Sequence, residues 1–232
     1  DNLLKIKSQG FHAFKIGWGP FGRHNSATNE RIVKAAREAI GSDSLLKVDA
    51  GGSDAFWPNG YKWALNTAKM LADYDVNWFE EALNPDNLED YVKLREHSPI
   101  AISGGEVLTR RQSFLPWFNA HAFDIVQPDV TKVGGISEER RIAWMAQDYG
   151  IRFIPHGWNT TVGLAADLHL ASAFPDTDLV EYLIGSPFID EITVGGWKLD
   201  DDGMLAIPTK PGLGVDIDLD VLKKYNNGAK LM

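Results

Sequence analysis

The feature that most constrains this chain is an alternation sustained from near its start to about Leu183. Short apolar runs at residues 13–17, 45–49, 77–80, 100–103, 124–127, 152–155 and 179–182 are separated by helix-period segments near 29–40, 61–74, 88–97, 110–120, 137–149 and 162–174. The runs are mostly apolar throughout, as parallel strands covered on both faces should be. Strand, helix, strand in this number means successive right-handed βαβ units. Units of about 25 to 30 residues match a TIM-type (β/α) barrel, typically about 250 residues long, with a doubly wound open sheet as the alternative. A barrel of this kind closes with eight strands. Seven are visible, so the first strand and part of its helix are expected upstream of Asp1. The opening "DNLLKIKSQG" reads as the end of an amphipathic helix stopped at Gly10. Residues 1–183 are therefore expected to be the barrel, strands 2 to 8. Residues 184–232, with "DDDG" between two strand-like runs, read as a C-terminal hairpin and tail.

Charge and composition narrow the partners. The 232 residues carry 23 Lys and Arg against 32 Asp and Glu, a net charge of −9, and no basic run. Nucleic acid and anionic membrane both need a basic footprint, so a small molecule is the expected partner. There is no cysteine, which excludes a disulfide scaffold and thiolate chemistry. Neither a signal-like segment nor an apolar run of about 18 residues is present, which points to the cytoplasm.

The strand ends carry the chemistry. "LLKVDAGG" ends at Asp49, "NWFEEAL" at Glu80 and Glu81, and "AISGGEVL" at Glu106. The C-terminal ends of barrel strands converge on one face, which aims three carboxylates at a common point. Such a trio calls for a cation, and all-oxygen ligation suits Mg²⁺. A single acid after a strand is as easily a helix cap. Three in succession are not. The next two runs end in Asp129 and His156, where a carboxylate against Nδ1 would fix the imidazole tautomer and make a general base. Glu181, at the end of the last run, could donate a hydrogen bond to a substrate oxygen if burial kept it protonated. Lys15 stands where the first run breaks into the loop "GWGPFG".

This order of residues resembles the enolase superfamily, mandelate racemase subgroup, along nearly the whole chain. "FEEA", "GGE", "QPD…KVGG" and "PHGW" carry the resemblance. It implies Asp49, Glu80 and Glu106 as Mg²⁺ ligands and Asp129–His156 as the dyad that moves the proton α to a carboxylate. The muconate lactonizing subgroup has lysine where Asp129 stands, so that branch is disfavoured. The family often has Lys-x-Lys after its second strand; here Lys15 is the first lysine and Gly17 replaces the second. Lys15 would then contact the substrate carboxylate or tune its surroundings. A racemase needs a base on each face of the α-carbon, and His156 supplies one. The implied activity is dehydration of a sugar acid to a 2-keto-3-deoxy acid, in a protein expected to be a homo-oligomer. A racemase or epimerase, or a non-catalytic sugar-acid-binding barrel, is the competing reading. The resemblance further implies an N-terminal capping domain, with the tail packing on it or on the barrel. Lacking both strand and cap, residues 1–232 alone are expected to aggregate or to be inactive.

Aromatic residues fit a polyol substrate. Trp18, Trp57 and Trp158 fall in loops at the strand ends, whereas Trp63, Trp117 and Trp144 sit within helices and are expected in the core. His12, His24, His97, His121 and His169 read as loop or helix-surface residues, with His24 kept open by its place in the Gly-rich loop.

Overall fold

The computed structural model describes residues 1–225. Its elements run α1 (Asn2–Lys7), β1 (Ala13–Gly17), α2 (Ser26–Ile40), β2 (Leu45–Asp49), α3 (Tyr61–Ala72), β3 (Val76–Glu80), α4 (Leu88–His97) and β4 (Ala101–Gly104). There follow α5 (Arg110–Asn119), β5 (Ile125–Val126), α6 (Val130–Val133), α7 (Ile136–Asp148), β6 (Arg152–Phe153), α8 (Thr161–Ala171), α9 (Pro187–Asp190) and α10 (Leu219–Lys224). The six strands form one parallel sheet in sequence order, each hydrogen-bonded to the next. This is the TIM-barrel-like α/β architecture that the alternation predicts.

Register explains which side chains meet. Ile16, Val48, Phe79 and Ile102 align across β1 to β4 on the side that packs against the helices, within the main core. The residues between them point to the other face. There, Lys15, Lys47, Trp78 and Ala101 form one row, and Gly17, Asp49, Glu80 and Ser103 the next. The lower row continues into a small cluster of Trp78, Ile125, Ile154 and Leu179. Lys47 is buried there with its ammonium 5.0 Å from the Trp78 ring centroid. Burial pushes that amine down to about 8.

The expected seventh strand, 179–182, is not one. This segment has no ladder pairing, although it runs beside β6. Side chains tether it instead. Thr177 Oγ1 donates to the Phe153 carbonyl at 2.7 Å, Arg152 Nε donates to the Asp176 carbonyl at 3.1 Å, and the Gly157 amide donates to Glu181 Oε2 at 2.8 Å. On its far side the Phe11 and Tyr182 rings lie 5.5 Å apart. The segment thus occupies the space between β6 and β1 without joining the sheet.

In the tail, Leu199 and Leu205 bridge antiparallel across the acidic turn, and Thr193 pairs with Ile217. These are single bridges rather than strands. Trp197 and Leu205 pack against Leu164 and Leu168 of α8, and Trp197 Nε1 donates to Thr161 Oγ1 at 2.8 Å. Residues 226–232 of the expected tail lie outside the described residues. Among those described, no helix is long and apolar enough to cross a membrane.

Trp144 corrects one expectation. It is half exposed, beneath the Arg140 guanidinium, while Glu139, Ile142, Ala143 and Ala146 form the buried stripe of α7. Two residues from Ile142, it falls on the opposite side of the helix. Trp63 and Trp117 pack into the core as expected.

Gly17 is where β1 meets the site most tightly. Its φ is +117°, and a Cβ there would lie 1.9 Å from the Asp49 carbonyl oxygen. No side chain fits without moving backbone. Gly17→Ala is therefore expected to cost at least about 2 kcal/mol in urea denaturation, well above the effect of an ordinary strand substitution.

Candidate active site

The side chains singled out at the strand ends converge. Asp49 ends β2 and Glu80 ends β3, while Glu106 follows β4 after Gly105, whose φ is +114°. One oxygen from each lies within 4.8 Å of the others. All three are buried. Burial, and then the neighbouring Glu80 charge, hold Asp49 well above the ordinary carboxylate range; burial raises Glu80 as well. Trp78 Nε1 donates to Glu80 Oε2 at 3.1 Å, and the Gly51 amide to Asp49 Oδ1 at 2.8 Å. These donors leave Glu80 Oε1 and Asp49 Oδ2 for the centre of the cluster.

Lys15 is the cation that meets them. Its Nζ lies 2.6 Å from Glu80 Oε1 and 3.9 Å from Asp49 Oδ2, and it donates to Glu181 Oε1. Burial opposes the ammonium, but Glu181, Glu80 and Asp49 together raise it well above its ordinary value. The same contacts overturn the expected state of Glu181. Burial alone would keep it protonated, yet Lys15, His156 and the Gly157 amide hold it below its ordinary value. Glu181 is thus an acceptor, not a donor. The lysine that decides this lies 166 residues away in sequence.

On the opposite flank, Asp129 caps α6 through Oδ1, which accepts from the Thr131 amide at 2.8 Å and its hydroxyl at 2.6 Å. Its Oδ2 faces His156 Nδ1 at 2.8 Å. His156 Nε2 meets Glu106 Oε2 at 3.0 Å. Burial works against the charged imidazole, but these two carboxylates push it up to about 10. The Asp129–His156 contact expected from the strand ends is present, and Nε2 points at the carboxylate trio.

Several residues here escaped the sequence reading. Lys132, on the short helix α6, lies 3.5 Å from both Glu106 and Asp129; its i,i+3 spacing from Asp129 was the available signal. Behind the dyad, Glu139 of α7 and Asp167 of α8 are fully buried. Both Glu139 oxygens and Asp167 Oδ1 lack a hydrogen-bond partner among the described residues. Burial first, then mutual repulsion, raise Glu139 to about 10; burial raises Asp167 to about 8.

Glu81 points elsewhere. Its φ is +44°, its Oε2 accepts from Ser53 Oγ at 2.7 Å, and it stands outside the metal-competent trio. Of the loop tryptophans, Trp57 packs edge-on to Trp63, whereas Trp18 and Trp158 are solvent-exposed and stacked on each other. His24 is exposed.

Comparison with known proteins shows the family of this chain. The family described as enolase C-terminal domain-like matches residues 2–221. D-galactarolactone cycloisomerase of Agrobacterium fabrum is 34% identical across 97% of this chain and 59% of its own length. Arabinonate dehydratase of Saccharolobus solfataricus is 31% identical over 97% of this chain and 60% of its own. The crystal structure of the 3,6-anhydro-D-galactonate cycloisomerase from Zobellia galactanivorans superposes with a TM-score of 0.86 at 34% identity, covering 97% of this chain and 61% of that one. This chain thus spans about three fifths of the length of each of these three relatives.

Two measurements follow from the site. Calorimetric titration with a divalent metal should show at least a tenfold affinity loss in Glu80→Gln and a much smaller one in Glu81→Gln; equal losses would contradict the trio. Glu139 ionises near 4.5 when unfolded but only near 10 when folded. Between those values the unfolded state binds fewer protons, so this group lowers stability as pH rises. Glu139→Gln should therefore stabilise by about 1–3 kcal/mol near pH 8 and by almost nothing below pH 4, in urea denaturation at both values.

Proposed function

Because the chain belongs to the enolase C-terminal domain-like family, in the mandelate racemase subgroup of the enolase superfamily, we propose that it forms the barrel of a Mg²⁺-dependent sugar-acid dehydratase. The observation that carries this reading is the one-sided base. His156 with Asp129 stands on one flank, and the backbone at Gly17, where the resemblance would put a second lysine, admits no side chain. Elimination needs one base that can then act as an acid, whereas racemisation needs two.

Asp49, Glu80 and Glu106 would hold the metal; their oxygen-only, anionic and crowded arrangement suits a hard cation. When bound, Mg²⁺ supplies positive charge to the substrate carboxylate as its α-proton becomes acidic. The remaining work falls to the chain. Lys15 Nζ, ringed by Glu80, Glu181 and Asp49, adds a fixed positive charge for that carboxylate. Asp129 Oδ2 holds the Nδ1 proton, so His156 presents Nε2 to the substrate in place of its contact with Glu106. Nε2 takes the α-proton, and the C–H pair becomes the new carbon–carbon double bond as the bond to the β-hydroxyl breaks. The same proton returns to the departing hydroxyl. Water leaves, and the enol tautomerises to the 2-keto-3-deoxy acid.

A second reading shares the first half of this sequence. The relatives at 34% identity are cycloisomerases, which favours a ring oxygen as the β-leaving group. The product then has the mass of its substrate, and mass spectrometry separates the two. A second copy of the chain is the further partner we propose, alongside the sugar acid.

His156→Asn should lower turnover of an accepted sugar acid by at least about 10²-fold while divalent-metal affinity survives. Asp129→Asn should lose nearly as much through the wrong tautomer. The double variant should be no slower than His156→Asn, because the pair acts as a unit. Additive losses in steady-state kinetics would contradict the dyad.

A further inference from the structure

Trp18 is costly as placed. Its φ of +46° is the left-handed region that bulky residues avoid, and its side chain is 48% exposed. Burial in this chain's core therefore does not account for the strain. Strained, exposed residues beside a reacting centre point to a ligand. Its backbone is pinned there: the Trp18 amide donates to the Asp49 carbonyl at 2.7 Å, and a Cβ on Gly51 would come within 2.6 Å of the indole. Gly51 thus leaves room for the ring beside the carboxylate trio.

Trp158 comes from the opposite flank. It lies two residues after His156, next to Gly157, whose amide holds Glu181. It is 66% exposed. The two rings nonetheless meet, with centroids 6.4 Å apart and planes 25° from parallel. A chain inserted between them would need about 7 Å, two carbon contacts of 3.5–4.0 Å each. They therefore form one continuous shelf rather than a clamp. Apolar area of this kind, rimmed by charged groups, is what a molecule with one anionic end and a chain of C–H and O–H groups would cover.

We propose that Trp18 and Trp158 form a distal subsite on which carbons beyond the reacting pair of a five- or six-carbon sugar acid stack. This rests on the sugar-acid reading above. The shelf selects for chain length: an acid ending at its third carbon reaches the carboxylate trio but not the rings.

The test uses the intact protein with Mg²⁺, with D-galactonate, D-xylonate and arabinonate as long probes and glycolate and lactate as short ones. Binding is read by calorimetry and by indole fluorescence, turnover by 2-keto product. Trp18→Ala and Trp158→Ala should each raise Kd and KM for the long acid bound best by about tenfold, more than they lower kcat. Lactate and glycolate binding should change less than twofold. The corresponding Phe variants should recover most of the loss, and the melting temperature should stay within a few degrees. Unchanged Kd for every long acid, equal losses for long and short acids, or a large melting-point drop without a KM change would overturn the subsite. The last of these would mark the rings as packing against another part of the protein. Long-acid binding without turnover in the unsubstituted protein would refute the dehydratase alone, and the Kd comparison would still judge the subsite. No binding of any long acid would refute both.

Discussion

Everything at the strand ends is organised around the repulsion of buried carboxylates. Asp49, Glu80 and Glu106 lie within a few ångströms of one another, and Glu181 joins them through Lys15. Removing such charges from water is unfavourable unless each gains a partner. Lys15, His156 and Lys132 provide three cations on the cluster's edges, and Trp78 and Gly51 provide neutral donors. Lys15 Nζ, 2.6 Å from Glu80 Oε1 and 3.9 Å from Asp49 Oδ2, reaches the inner oxygens themselves. Four carboxylates thus face three cations, and a bound cation would relieve the repulsion that remains.

The same demand shapes the backbone. Parallel neighbours place Gly17, Asp49, Glu80 and Ser103 in one row, so the acids meet only if the strands stay in register. Directly after that row the chain turns sharply: Trp18 and Glu81 both take positive φ, at +46° and +44°. Each turn has a consequence. At Glu81 it sends the second of two adjacent acids towards Ser53, so that two neighbouring glutamates acquire different surroundings. At Trp18 it lets the amide reach the Asp49 carbonyl, the same oxygen that forbids a side chain at Gly17. The glycine that departs from the family's lysine is therefore part of how Asp49 is held.

Much of this was legible in the sequence because parallel strands are buried on both faces and announce themselves as apolar runs. The acids at their ends are then placed by topology alone. What failed depended on distant partners. Residues 179–182 have a strand's composition, but strand formation requires a backbone neighbour in register, and here side-chain tethers take that place. For Glu181 the sequence offers burial, which would favour the protonated form, but not the distant Lys15 that opposes it. Trp144 looked like core because it is large and apolar, although the stripe set by Ile142, Ala143 and Ala146 excludes it. Glu139 sits within that same buried stripe, and an acid in an amphipathic helix is ordinarily taken for its solvated face.

Glu139 and Asp167 also bear on why the dyad is asymmetric. Both acids lie behind Asp129, and each is raised by its charge as well as by burial. Were they ionised, they would add negative potential to an imidazole that Asp129 and Glu106 already push up to about 10. A base so strong would hold its proton and could not return it to a leaving group. Kept neutral by burial, the two acids cap the negative potential behind His156 at what Asp129 supplies. Engagement of Glu106 by a cation would weaken a second contribution, with Glu181 supplying a third, because a carboxylate shared with a metal is a poorer partner for imidazolium. His156 would then move towards the neutral range in which one group can both accept a proton and give it back, which is the property that a single-base elimination demands.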